Sequence, residues 1–193
     1  MSPEAAATSR TVQGVEYPAA GTYDIDPSHT ELGFAVRHMA VSKVRGRLSS
    51  FEGTLQLGED PTDSKAEVTI DATTVDTRDE NRDNHLRTDD FFDVENHPKW
   101  TFTSTSVKPE GKTEFKVDGD LTIRGVTKPV TLDVTLEGVV KDPYGNFRVG
   151  FSASTSVNRD DFNVSFGAVM EAGGLVVAKK VDIQIELEAV LRS

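Results

Sequence analysis

The chain has 193 residues, with 21 basic and 32 acidic side chains, a net charge of −11 and no cysteine. That length suits one domain with a sizeable core. Absent cysteine excludes disulfides, thiolate metal sites and thiol nucleophiles. The excess of acid sets the whole molecule against nucleic-acid phosphates and anionic membrane surfaces as partners.

Residues 1–20 are rich in Ala, Ser, Thr and Pro without periodicity. They are expected to form a flexible tail ahead of a single domain, 21–193. The start lacks the basic head and apolar run of a secretion signal. No stretch reaches the roughly 18 apolar residues of a membrane span. A cytoplasmic location is the resulting expectation.

From Tyr23 onward the pattern is period two, the mark of half-buried strands. Leu32, Phe34 and Val36 share one face, and so do Ala66, Val68 and Ile70. Between Val44 and Leu57 the phase slips: Leu48 belongs to one register, Phe51, Leu55 and Leu57 to the other. Such a slip predicts a bulge or two strands meeting at a bend.

One segment, Asp76 to His97, lacks alternation. Thr77 with Glu80 three later matches a capping box, which predicts a helix from Arg78 to about Arg87. Arg82, His85 and Leu86 would share a face of it. A second helical turn over Asp90-Phe91-Phe92 is expected to stop before Pro98. Adjacent phenylalanines cannot point the same way. One would enter the barrel mouth and the other clamp the insert to the rim. From pattern alone the insert is equally a plug or an ordinary connection.

Alternation then resumes. Trp100 and Phe102 lie on one face, followed by Phe115, Val117, Gly119, Leu121 and Ile123. Val130, Leu132, Val134 and Leu136 continue it, then Phe147, Val149, Phe151 and Ala153, then Val181, Ile183, Ile185 and Leu187. Turns are marked at 58–61, 109–111, 124–125, 142–146 and 173–174. The count is about eight strands, several of them over 30 Å at roughly 3.3 Å per residue. No long amphipathic helix is present to cover a sheet, so the dry faces must cover each other. Long strands favour a rolled barrel over a two-sheet sandwich.

Chemistry-bearing patterns are few. His29, His38, His85 and His97 form no pair two or four apart, so spacing supports no metal site. There is no nucleophile elbow, phosphate loop or dinucleotide fingerprint. A Ser/His/Asp set could still assemble in space, being recognised by geometry. No catalytic residue, metal or cofactor is assigned. The unusual polar group is "DENRDNHLR" (79–87). Arg82, Asp83 and His85 there form either a head-group site or a salt-bridge lock between helix and barrel.

At these residues the sequence resembles the YceI-like family of bacterial lipid-binding proteins. The resemblance rests on "YDIDPSHTELGFAVRHM" (23–39), "VRGRLSSFEGTL" (44–55), "RDNHLRTDDFFDVENHP" (82–98), "GDLTIRGVTKPVTLDV" (119–134) and "VNRDDFNVSF" (157–166). It implies an all-β fold: an extended antiparallel eight-stranded, lipocalin-like barrel with a short helix capping one end. It implies an apolar tunnel for a polyisoprenoid or a similar amphiphile such as a fatty acid or amide. Members are usually non-enzymatic and often dimeric, and many carry a secretion signal. Where the family commonly continues Arg…Phe with Gly, this chain has Asn163 after Arg159-Asp160-Asp161-Phe162. Asparagine tolerates positive φ better than most residues.

The expected tunnel residues are Phe34, Val36, Leu48, Val68, Ile70, Phe91, Phe92, Trp100, Phe102, Val117, Leu121, Leu132, Val134, Phe151 and Ile183. Small inward residues, among them Ala66, Ser104, Gly119 and Ala153, would leave the void. His38, Arg82, Asp83 and His85 are expected near the polar end. The alternatives are an enzyme on a lipid head group, with His38 or His85 as acid–base, and a stress or structural protein with a solid core.

Overall fold

The computed structural model describes residues 9–168, 171, 173 and 176–193. Residues 1–8 of the expected tail and Gly174 of the expected 173–174 turn lie outside them. In chain order the first strands are β1 (Ser9–Val12), β2 (Val15–Pro18), β3 (Gly21–Ile25), β4 (Glu31–His38), β5 (Ser42–Leu48) and β6 (Phe51–Leu57). β7 (Lys65–Asp71) and β8 (Val75–Asp76) precede the helix α1 (Glu80–Arg87). β9 (Lys99–Pro109), β10 (Glu114–Ile123), β11 (Val126–Lys141), β12 (Phe147–Asn158) and β13 (Val177–Leu191) complete the chain.

Every pairing is antiparallel, and β12 pairs with β13 to close an eight-stranded barrel. Three positions in the ring are filled by bent strands, each broken into two segments. β3 and β4 both lie along β13, β6 and β5 pair with them on the other side, and β7 and β8 come next. The phase slip is the β5–β6 bend at Ser49-Ser50, whose amides both donate to Thr74 Oγ1. On the other side of the bend, β7 pairs with β9, whereas no register joins β8 to β9. The chain leaves the sheet at that gap, and the insert fills it.

Residues 9–18 differ from the expected tail. β1 and β2 form a hairpin through Gln13-Gly14, both at positive φ. The Tyr17 hydroxyl donates to Lys112 O, and Arg10 donates to Glu59 and Gly58 O, tying the hairpin to the β9–β10 and β6–β7 turns. The signal was a two-residue turn with strand-forming Val12, Val15 and Tyr17 around it, hidden by a polar composition.

The helix also starts later than the capping box implied. Its N-cap is Asp79, which accepts from Arg82 N, while Arg78 sits at φ 64. Thr77 is instead held by Asp83. No second helical turn forms over Asp90-Phe91-Phe92. Those residues wrap back onto α1, with Phe92 N donating to Leu86 O and Phe91 N to Thr88 O.

Candidate functional site

Inward side chains of the barrel enclose an apolar cavity of about 340 Å³. Many of these residues are only half-buried although they face inward, because they border empty space rather than one another. Phe34 and Val36 of β4, Leu48 of β5, and Val68 and Ile70 of β7 form one wall. Trp100 and Phe102 of β9, Val117 and Leu121 of β10, Leu132 and Val134 of β11, Phe151 of β12 and Ile183 of β13 form the rest. Period two puts each of them inside, since strand side chains alternate between faces.

Of the expected small residues, Ala66, Ser104 and Ala153 border the cavity. Gly119 does not open space. The Phe102 ring lies over it, so that a β-carbon there would come within 2.4 Å of the ring. Gly46 receives Phe34 in the same way. Each glycine admits an aromatic ring where a side chain would otherwise stand.

At one end, here the far end, Tyr17, Pro18 and Arg10 of the hairpin complete the lining. At the other, the α1 end, Leu86, Phe91 and Phe92 enter from the insert. Both phenylalanines line the cavity, and they diverge. Phe91 meets the Phe166 ring at 5.2 Å, and Phe92 meets Trp100 edge to face at 4.8 Å. The expected division of labour, one ring inside and one on the rim, is therefore absent.

The four polar residues expected near a head group are not among those lining the cavity. Arg82 folds back on Thr77, donating from Nε to Oγ1 at 2.7 Å and from Nη2 to O at 2.8 Å. Asp83, buried, accepts from Thr77 N at 2.9 Å and Oγ1 at 2.5 Å. Both side chains hold Thr77, just after β8, and neither forms a salt bridge among the described residues. His85 Nε2 contacts Asp90 at 2.7 Å and its ring packs against Phe91 and Phe166. His38 ends β4, paired with Ser42 and Val177.

The charged group that does reach the α1 end is Arg159. It is 7% exposed and bonded to carbonyls alone: Nε to Ala178 O, Nη1 to Val164 O and Phe166 O, Nη2 to Val177 O. Burial pushes its guanidinium below the ordinary value, against the pull of neighbouring Asp160. The corner after it turns at Asn163, with φ 57, so asparagine supplies the left-handed residue that glycine would. Arg124 donates to both Phe91 O and Asn163 O, stapling this corner to the insert. The "NRDDFN" segment marked the turn in the sequence, but nothing in it marked the arginine as buried.

Two donors of cavity-lining residues, Arg10 Nε and Trp100 Nε1, are unmatched among the described residues. Trp100 is 7% exposed, and its Nε1–H has no hydrogen-bond partner among the described residues.

A second polar cluster lies outside the barrel, near the far end. Asp26, His29 and Glu188 bring ligand atoms within 4.8 Å of one another. Arg148 already bridges the acids, at 2.8 Å to Asp26, 2.7 Å to Glu188 and 2.8 Å to Asp142. Its guanidinium supplies the positive charge that a metal would. Ser28, His29 and Asp26 are also adjacent, but one ring nitrogen, His29 Nδ1, faces both partners. That geometry leaves no second nitrogen to relay a proton.

A closed antiparallel barrel, hollowed by an apolar cavity and stopped at one end by a helical insert, defines a lipocalin-like barrel. Residues 23–189 match the YceI-like domain, and the chain belongs to that family. It is 40% identical to protein YceI of Escherichia coli O157:H7 over 174 residues, 89% of this chain and 87% of the relative. The crystal structure of a Campylobacter jejuni YCEI protein matches with a TM-score of 0.70 and 30% identity, covering 81% of this chain and 90% of the other. A polyisoprenoid-binding domain from Saccharophagus degradans, implicated in plant cell wall breakdown, shares the fold at a TM-score of 0.69 and 16% identity, covering 90% of this chain and all of the other. No helix among the described residues is long and apolar enough to cross a membrane.

Proposed function

We infer that the protein is a carrier or sequestering protein for a long-chain lipid, held inside the barrel without chemical change. The observation that carries this reading is the apolar cavity bordered by side chains from both ends of the barrel. Its volume of about 340 Å³ falls in the range of roughly 300–1,000 Å³ typical of small-molecule sites. An apolar void of that kind stays dry and accepts hydrocarbon. Each buried methylene contributes about 0.8 kcal/mol. Ten of them supply about 8 kcal/mol, comparable with the cost of immobilising the ligand.

The ligand class is an amphiphile with an oxygen acceptor, of which a polyisoprenoid lipid is the leading member. Two features favour this over a plain hydrocarbon. Among the described residues the Trp100 N–H lacks an acceptor, and Arg159 places a positive charge at the α1 end with no carboxylate bonded to it. The polyisoprenoid-binding relative of the same fold supports the isoprenoid choice. A carrier is favoured over a head-group enzyme because His38 and His85, the acid–base candidates, do not line the cavity.

Native mass spectrometry of the purified protein, followed by organic extraction, tests the reading. A bound amphiphile is the expected result. Protein that carries nothing, and takes up no fluorescent long-chain lipid, would refute it. Phe151→Arg places a charge in the β12 wall and is expected to weaken lipid uptake at least about tenfold, since removing a buried apolar ring and adding a charge each cost over 1.4 kcal/mol. Unchanged affinity in a folded variant would remove Phe151 from the ligand's path.

A further inference from the structure

Although the molecule carries −11, residues 32–51 contain Arg37, Lys43, Arg45 and Arg47 and no acid. All four lie on the β4–β5 hairpin. Arg37 stands opposite Lys43, Ala35 opposite Arg45 and Gly33 opposite Arg47. These positions alternate with Phe34 and Val36, which face the cavity, so the basic row is on the outer face. Like charges directly opposite destabilise a pair of strands, so the Arg37–Lys43 pairing does nothing for the fold. Arg47 is compensated by Asp76 and Lys43 by Asp182, whereas among the described residues no carboxylate bridges Arg37 or Arg45.

The tip of this hairpin is Met39-Ala40-Val41 rather than the polar or glycine turn expected in water. Met39 and Ala40 both hold positive φ, Met39 is 43% exposed and Val41 80%. Met39 N donates to Val176 O, and Val176 N to Ala168 O, joining the tip to the loop that carries Phe166. Phe166 is itself 43% exposed and touches Phe91 of the cavity wall. Exposed apolar side chains thus cluster at the α1 end of the cavity, with basic side chains directly behind them.

We propose that this hairpin docks the α1 end of the barrel onto an anionic lipid bilayer. Met39, Val41 and Phe166 enter the acyl boundary, and Arg37 and Arg45 meet the phosphate layer. An apolar edge backed by a basic face is the arrangement that binds such surfaces. A second copy is the poorer occupant, because a two-fold contact through this face would lay one uncompensated basic patch on another. The inference rests on the lipid-carrier reading for its purpose, exchange of cargo with a membrane, but not for the contact itself. Glu80 and Asp89 of the insert oppose the attraction; because Arg37 and Arg45 are exposed, binding is expected to weaken with added salt.

The test is flotation of the full chain with vesicles of phosphatidylcholine, alone or doped with phosphatidylglycerol. Binding to the doped vesicles only is expected. Each basic residue near such a surface contributes about fivefold. Arg37→Glu with Arg45→Glu is therefore expected to lower partitioning at least about twentyfold, and Val41→Asp about tenfold. All three positions are exposed or half-exposed on the surface, and uptake of a fluorescent fatty acid by the same variants should be unchanged. Wild-type protein that floats with doped vesicles but takes up no fatty acid would sink the carrier reading and leave docking intact. Equal binding to both vesicles, binding to neither, or variants at the wild-type level would overturn the proposal. So would self-association that Val41→Asp abolishes.

Discussion

At the far end of the barrel, backbone pairs with backbone all the way round: β13, β3, β6, β7, β9, β10, β11 and β12 form an unbroken ring of ladders. At the α1 end the ladder stops at β8, and side chains do the closing. Two hydrophobic clusters follow this division. Tyr23, Ile25, Phe51, Leu55, Phe115 and Val149 fill the first end, and Val75, Phe91, Trp100, Phe102, Phe162 and Val164 the second. The polar supports differ as well. Arg148 gathers three carboxylates at the first, while Arg159 gathers four backbone carbonyls at the second. A ladder opens only by losing many hydrogen bonds together. A plug held by a few side chains opens by losing a few, so low-stability motion belongs at the α1 end.

Acid should have the largest effect, because several carboxylates act at once. Asp26 is held well below the usual range by Ser28, Arg148 and His29, and Asp142 by Arg148 and Asn146. Asp118 is held there by Lys108, Thr131 and Ser106. Asp71 and Asp76, near the insert, are lowered less. A carboxylate lowered in the folded state stabilises it above about pH 4 and loses that contribution as pH falls through the folded value. Urea midpoints should therefore be flat near neutrality and fall below about pH 4. Amide exchange should rise first around Asp26 and Asp142. A midpoint independent of pH down to strongly acid solution would deny these carboxylates their role.

Arg159→Ala should come next. It leaves Val164, Phe166, Val177 and Ala178 carbonyls without their donor. A loss of about 3 kcal/mol is expected, with faster exchange confined to the α1 end. If exchange rises equally at both ends, the two are not separate units. Asp83→Ala strips the Thr77 amide and hydroxyl of their buried acceptor and should cost about 2 kcal/mol. Exchange in α1 is the readout, and unaltered protection there would mean that the lock is dispensable. Smallest is Tyr23→Phe, which deletes one buried hydrogen bond to Ala19 O at the far end. About 1 kcal/mol is expected by urea titration, with lipid uptake unchanged. Altered uptake would show that the ends are coupled.

Period two carried most of the architecture. It placed Phe34, Val68, Phe102, Leu132 and Ile183 on inner faces, and the broken phase at Ser49-Ser50 marked the bend between β5 and β6. It failed where short-range chemistry competed with composition. Residues 9–18 are polar enough to resemble a tail, yet they pair across Gln13-Gly14. The Thr77/Glu80 pattern resembled a capping box, yet Asp79 took the cap because Thr77 was needed by Asp83. Spacing also brought Arg82, Asp83 and His85 together on α1, but it could not reveal that their partners are Thr77 and Asp90.

Alternation by itself determined that each strand has one dry face, and a chain with dry faces on every strand and no covering helix must roll up, because buried area outweighs any other single contribution. Whether the rolled sheet is hollow was decided only in three dimensions. Inward Phe102 and Phe151 both border empty space, and Phe102 also closes over Gly119, which depends on partners brought together from separate strands. The burial of Arg159 was decided there as well, since its acceptors belong to a loop and a strand that return to it only when the barrel closes.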